Sequence, residues 1–177
     1  MNSWIRVVAA TAVLVLSACT TSQYPIEAQV GPKEPIDSRL LGRWTLARDE
    51  RIILTIERRL DELALRLSDP DQQEPEDYRV RVARVGRFNY ASATRVGRRE
   101  AWTLYRFRFL DEDSIVVNTV DDDFMFRAVR GGLIRGIPDR GPPSRASLTA
   151  MPRELREFVR GNPDMFAGEQ FELRREP

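Results

Sequence analysis

Histidine is absent from the 177 residues of this chain, and cysteine occurs once, as Cys19. One cysteine cannot form an intramolecular disulfide, and a chain without histidine or a second thiol cannot build the His/Cys metal sites of zinc proteins. Catalytic triads that use a histidine base are excluded for the same reason. We therefore expect no enzymatic activity, no cofactor and no bound metal.

Long apolar runs are also missing beyond the N-terminus. The one extended run covers residues 7–16, and a helix that spans a bilayer needs about 20 apolar residues. Arg6 precedes the run, and the small residues Ser17 and Ala18 follow it, which is typical of an export signal. We expect residues 1–18 to be a signal peptide.

The segment Leu16-Ser17-Ala18-Cys19 resembles the lipobox of bacterial lipoproteins, in which leucine and two small residues precede the cysteine. The resemblance implies cleavage before Cys19, attachment of diacylglycerol to its thiol, and acylation of the new amino terminus with a chain such as palmitate. Each buried methylene contributes about 0.8 kcal/mol, so several chains on one residue hold firmly. Thr20 rather than aspartate follows, which favours the periplasmic face of an outer membrane and leaves the inner membrane or cell surface open.

Charge of one sign is not in excess. The chain has 28 Lys and Arg against 27 Asp and Glu, and removal of Arg6 with the signal peptide leaves 27 of each. No basic surface for nucleic acid is expected from this balance. Lys33 is the only lysine, so almost every cation is an arginine. This reflects either codon bias or recognition of phosphates and carboxylates on envelope lipids.

A proline- and glycine-bearing segment separates the cysteine from the regular pattern. Residues 19–37 contain Pro25, Gly31, Pro32 and Pro35 and have no apolar period, so they are predicted to form a flexible tether. In extended form such a tether would reach about 55 Å. Residues 38–177 are then expected to form one domain.

Alternation of apolar and polar residues dominates the rest of the chain, and Ala101–Leu110 shows it most clearly. The pattern predicts a mainly β fold: an antiparallel meander of about eight or nine strands closed into a barrel or a tight sandwich. Two short helices are predicted near the C-terminus, at Phe124–Arg130 after an acidic cap and at Pro152–Arg160.

Gly42-Arg43-Trp44, at the head of the first predicted strand, resembles the Gly-x-Trp motif of the lipocalin and wider calycin group. The resemblance implies a lipocalin-like barrel in which the tryptophan plugs one end and a late arginine packs on it. We expect Gly42, Trp44 and Arg174 at that end, with Arg175 as the other candidate arginine. A buried tryptophan in an unrelated β-domain remains the alternative.

Five aromatic residues are the candidate ligand site. They would either line an apolar cavity or fill the core of a barrel of this size. They are Tyr105, Phe107, Phe109, Phe124 and Phe126.

The opposite face of the strand at 101–110 combines apolar and cationic side chains and is a candidate partner surface, for either a protein or an anionic lipid. Its residues are Trp102, Leu104, Arg106 and Arg108. Two acidic runs, at 111–113 and 121–123, lack the spacing of a calcium loop and are expected to be turns or a helix cap.

Two functions from different classes are compatible with these features. The first is a membrane-anchored, non-enzymatic barrel that binds a small hydrophobic or amphipathic molecule. The second is an envelope interaction module of the assembly-factor or inhibitor type, with a packed core and no ligand cavity. The first requires room inside the barrel, whereas the second requires an exposed apolar patch.

Overall fold

A computed structural model describes residues 20–26, 35–98, 101–139, 141 and 145–176. The predicted signal peptide, Cys19 and residues 27–34 of the predicted tether lie outside these residues. The described strands are β1 (Thr21–Ser22), β2 (Gly42–Leu46), β3 (Asp49–Arg59), β4 (Glu62–Ser68), β5 (Glu76–Val85), β6 (Phe88–Arg95), β7 (Trp102–Phe109), β8 (Ser114–Thr119), β9 (Gly136–Asp139), β10 (Arg145–Leu148) and β11 (Gln170–Arg175). The helices are α1 (Asp122–Arg130) and α2 (Pro152–Gly161), with 3-10 turns at Ser38–Leu40 and Pro163–Phe166.

Eight antiparallel strands close into a barrel. Strands β2 to β8 pair in chain order, and β11 pairs with both β8 and β2. The mainly antiparallel β fold with two short helices near the C-terminus is therefore confirmed. A barrel of about eight strands encloses a space just wide enough for side chains or one small ligand.

The alternation along β7 separates two hydrophobic cores. Tyr105 and Phe107 face the barrel interior, where they join one apolar cluster. Trp102 and Leu104 face outward, and they are only 1% and 0% exposed because a second apolar cluster covers them. Side chains of successive strand residues point to opposite faces of the sheet, so one strand supplies both cores.

The second core lies between the outer surface of the barrel and the helices. Leu155 and Val159 of α2 and Met125 of α1 are fully buried in it. The expectation that Trp102 and Leu104 form an exposed partner surface is therefore wrong, because the C-terminal helices of the same chain cover these two side chains. Arg106 contacts this layer as well, since its guanidinium donates to the carbonyl of Pro163 at 2.9 Å.

Helix α1 begins at the acidic run, as its sequence predicts. The side chain of Asp121 accepts a hydrogen bond from the backbone N–H of Phe124 at 2.9 Å and so caps the helix. Asp122 and Asp123 lie in the first turn, where the helix dipole favours negative charge.

Residues 20–26 belong to the folded domain. Thr21 and Ser22 form β1, which pairs with β7 and with β10. Ile26 is fully buried, and its backbone N–H donates to the hydroxyl of Ser92 at 3.0 Å. The flexible tether predicted for residues 19–37 is therefore wrong over residues 20–26. Alternation is too short to be recognised in a strand of two residues.

Neither of the two described helices is long and apolar enough to cross a membrane; this finding covers only the part of the chain that the structure describes.

Candidate ligand site in the barrel

The barrel encloses an apolar cavity of about 100 Å³. Its wall is drawn from all eight barrel strands except β2, and from the 3-10 turn that precedes β2. The lining residues are Leu40, Leu54, Ile56, Leu63, Leu65, Tyr78, Val80, Val82, Ala91, Ala93, Tyr105, Phe107, Ile115, Val117, Phe171 and Leu173. Fourteen of these sixteen side chains carry no polar atom.

Small side chains on β6 help to create the space. Ala91 and Ala93 both line the cavity, and Ala91 lies between Val82 on β5 and Tyr105 on β7. A larger residue at either position would fill part of the volume, because both side chains point inward from the middle of the sheet. These two alanines are cavity residues that the sequence did not indicate, because a small side chain carries no signal for a cavity; they occupy alternate positions on β6.

A second, smaller cavity of about 60 Å³ adjoins the first. Both cavities are lined by Leu40, Val82 and Phe107, so they share one wall. The smaller cavity also has polar groups in its lining, including Asn89 and Arg84. Apolar and polar surfaces therefore meet at the end of the barrel near Leu40.

A polar network satisfies the hydroxyl of Tyr78, which is one of the two hydroxyls in the lining. The hydroxyl donates to the carboxylate of Glu76, and the same carboxylate pairs with the guanidinium of Arg95 at 2.7 Å. The Glu76 side chain is 13% exposed. A buried hydroxyl with a partner does not carry the desolvation penalty of an unpaired one, so this network keeps the cavity wall effectively apolar.

Two buried tyrosines have perturbed acidities. Burial raises the pKa of Tyr78, and its hydrogen bond to Glu76 raises that pKa further. Burial also raises the pKa of Tyr90, which packs against Phe166 in the second core with ring centroids 5.1 Å apart. Both phenols therefore keep their protons at a pH where tyrosines of the unfolded chain lose theirs.

Stability is expected to decline in alkaline solution because of these two residues. Both folded pKa values lie above the ordinary value of 10.0, so their contribution is complete below that pH and is lost as the pH rises above it. Tyr78→Phe and Tyr90→Phe should each flatten the fall in unfolding free energy, measured by urea denaturation from about pH 8 to about pH 11. An unchanged slope in both variants would contradict this assignment.

One end of the barrel is closed by Trp44 and Arg175. Trp44 is fully buried, and its indole N–H donates to the carbonyl of Leu40 at 3.1 Å. The guanidinium of Arg175 lies 4.4 Å from the centroid of the Trp44 ring and donates to the carbonyls of Leu41 and Arg39, at 2.9 and 2.7 Å. Because this guanidinium stacks on the indole ring and donates to fixed carbonyl acceptors, it holds β11 against the segment that leads into β2.

Arg174, expected at this end, instead points to solvent. Its guanidinium pairs with Glu172 at 2.8 Å, and its side chain is 58% exposed. Strand alternation explains the difference, because Arg174 and Arg175 lie on opposite faces of β11 and only the inner one reaches Trp44. Position 42, beside Arg175, requires glycine. The φ of Gly42 is +122°, and a Cβ there would lie 2.9 Å from a guanidinium nitrogen of Arg175.

The five candidate aromatic residues do not form one site. Tyr105 and Phe107 line the cavity, and Phe109 lines the smaller adjoining cavity. Phe124 lies on α1 outside the barrel, where its ring centroid is 6.4 Å from that of Phe158, and Phe126 belongs to the same helix. Grouping Phe124 and Phe126 with the β7 residues was therefore wrong, because the chain leaves the barrel after β8.

The acidic runs show no arrangement for metal binding among the described residues. Asp111 accepts a hydrogen bond from the backbone N–H of Asp113 at 2.9 Å, which is a local turn contact. Asp113 also pairs with Arg175 at 3.2 Å and so supports the closed end of the barrel.

Comparison with known proteins identifies no relative: no family model matches the chain, and no curated protein or solved structure is significantly similar to it.

Proposed function

We propose that this chain is a lipid-anchored protein of the bacterial envelope whose barrel binds a small hydrophobic or amphipathic molecule. The observation that carries the binding proposal is the apolar cavity of about 100 Å³ inside the barrel. Protein interiors are usually packed with few voids larger than a water molecule, so an apolar space of this size favours a ligand over a filled core.

The volume limits the size of the ligand. An apolar cavity of about 150 Å³ takes up benzene, whereas sites for drug-sized molecules measure about 300–1,000 Å³. The cavity is smaller than this, but together with the adjoining cavity it approaches the volume that takes up benzene, so the two suit a single aromatic ring or a short alkyl chain. The polar groups of Asn89 and Arg84 in the adjoining cavity suit a polar head attached to such a chain.

Binding is tested by thermal unfolding in the presence of toluene, as an apolar probe, and of octanol, as an amphipathic one. A ligand that binds only the folded state stabilises it by about 2.7 kcal/mol when present at 100 times its dissociation constant. We expect either probe to raise Tm of residues 20–177 in proportion to the logarithm of its concentration. No change with either probe up to its solubility would contradict the proposal.

The closed end of the barrel supports the proposed likeness to the lipocalin and calycin group. Gly42, Trp44 and Arg175 together have the composition that this likeness implies, with Arg175 in the role expected of Arg174. The alternative function, an interaction module with a packed core, is less well supported because the cavity is present and because Trp102 and Leu104, the apolar residues on the outer face of β7, are buried in the second core.

The lipid anchor at Cys19 and the placement at the periplasmic face of the outer membrane belong to the same proposal; the anchor rests on the lipobox and the placement on Thr20. Cys19→Ser is expected to move the protein from the membrane to the soluble fraction, because no thiol remains to carry diacylglycerol. Fractionation with immunoblotting measures this change. Ser17→Ala is the matched control, since it keeps a small residue and the cysteine, and it should remain in the membrane. A Cys19→Ser protein that stays fully membrane-bound would contradict the anchor.

A further inference from the structure

The chain enters the fold immediately after the proposed lipidation site. Thr20 is fully buried, and both its backbone N–H and its hydroxyl donate to one carboxylate oxygen of Asp122, at 2.6 and 2.7 Å. Ser22 is 1% exposed, and the backbone N–H of Gln23 donates to the carbonyl of Leu148 at 2.9 Å. Residues 20–26 are thus fixed to the domain by hydrogen bonds and burial.

Because residues 20–26 are fixed to the domain, they cannot act as the flexible spacer that the sequence predicts. Consecutive Cα atoms are about 3.8 Å apart, so the residue that carries the acyl chains would be directly adjacent in the chain to a buried residue. A domain held in this way cannot stand some tens of ångströms from the bilayer, as a tether of residues 19–37 would allow. The protein surface around Thr20 therefore lies close to the lipid headgroups.

The strand register identifies that surface. Thr21 pairs in parallel with Ser147 of β10, and Ser147 pairs with Ile137 of β9. Ile137 therefore lies two strand spacings from Thr21, about 10 Å away in the same row. Arg145 and Asp139 form the next pair along this hairpin whose side chains lie on the same face as those of Ser147 and Ile137. This pair is displaced from the Ser147–Ile137 pair by about 7 Å along the strands, in the direction that runs from Ser22 to Thr20.

We propose that the end of the β9–β10 hairpin at Ile137, Pro138 and Asp139 lies against the headgroups of the bilayer that holds the lipid of Cys19. This inference rests on the proposed lipid anchor. Ile137 is 63% exposed, and Pro138 and Asp139 are exposed as well. The hairpin end combines an apolar side chain with the opposite charges of Asp139 and Arg145, which suits the boundary between water and headgroups better than bulk water.

The end of the barrel opposite to the direction from Ser22 towards Thr20 lies farther from the membrane in this arrangement. β1 is antiparallel to β7, so that direction is the one in which β7 runs, and the turn between β4 and β5 lies at the other end of the barrel. Gln73, in that turn, is exposed and offers a distant reference position.

Site-directed fluorescence quenching tests this orientation. Ile137→Cys and Gln73→Cys are each labelled with a maleimide fluorophore in the full lipidated chain, where lipid occupies the thiol of Cys19. The proteins are placed in vesicles of phosphatidylethanolamine and phosphatidylglycerol that contain a headgroup nitroxide lipid. We expect the label at position 137 to lose most of its fluorescence and the label at position 73 to lose little.

A spacer variant provides the matched control. Insertion of about 20 Gly and Ser residues between Cys19 and Thr20 adds a mean reach of about 25 Å, so the quenching at position 137 should fall towards that at position 73. Weak and equal quenching at both positions without the spacer would overturn the orientation while leaving the anchor intact. A chain that fails to float with the vesicles and lacks the lipid mass would refute the anchor itself, and this inference with it.

Discussion

Replacement of Trp44 by alanine is expected to lower the free energy of unfolding by about 3–5 kcal/mol, the range for removal of a large aromatic side chain from a core. Trp44 is fully buried at the end of the barrel. The substitution removes its packing, the hydrogen bond to Leu40 and the ring under Arg175 together. Urea denaturation monitored by circular dichroism measures the change.

A matched pair of arginine variants isolates the contribution of the closed end. Arg175→Ala removes charge-assisted hydrogen bonds to two backbone carbonyls and should cost about 2–4 kcal/mol. Arg174→Ala removes an exposed ion pair on the same strand and should cost less than about 1 kcal/mol. Equal effects of the two substitutions, or a loss below about 1 kcal/mol for Trp44→Ala, would show that this end does not hold the barrel closed.

Ala91→Leu is expected to abolish ligand binding while leaving the barrel folded. The added carbons extend into the cavity, between the positions of Val82 and Tyr105. Because they occupy existing space, the free energy of unfolding should change by less than about 1.5 kcal/mol. The rise in Tm with toluene or octanol, measured by scanning calorimetry, should disappear.

Ala64→Leu is the matched control for this experiment. Ala64 lies on β4 between Leu63 and Leu65, which both line the cavity, so its own side chain faces out of the barrel. The same chemical change at this position should leave the Tm response intact. If Ala91→Leu retained the full response, the ligand would have to bind elsewhere than in the cavity.

The strands and the barrel could be predicted because side-chain alternation records which face of each strand is buried. Alternation along β7 correctly separated Tyr105 and Phe107 from Trp102 and Leu104. It could not show what covers the outer face, since a buried outer face and an exposed apolar patch have the same pattern. The second core depends on contacts between residues far apart in the chain, such as Trp102 with the helical layer, which no local pattern contains.

The closed end of the barrel shows what a three-residue motif can and cannot predict. Gly-x-Trp indicated the position of Trp44, but the choice between Arg174 and Arg175 depends on the register of β11 against β2. That register pairs Arg175 with Trp44, and a shift of one residue would exchange the two faces. The prediction for the N-terminal segment was wrong for a different reason. Prolines and a two-residue strand are typical of a linker, whereas the burial of residues 20–26 depends on hydrogen bonds to Asp122 and Ser92, which are distant in the chain.

Native mass spectrometry of residues 20–177, secreted without the anchor, distinguishes a ligand-binding barrel from a barrel filled by its own side chains. We expect a discrete additional mass that is lost on denaturation, or that is acquired when toluene or octanol is added, and that is absent from Ala91→Leu. The mass of the natural additional species would also identify its chemical class. A protein that shows only its own mass under all of these conditions would contradict a ligand-binding barrel.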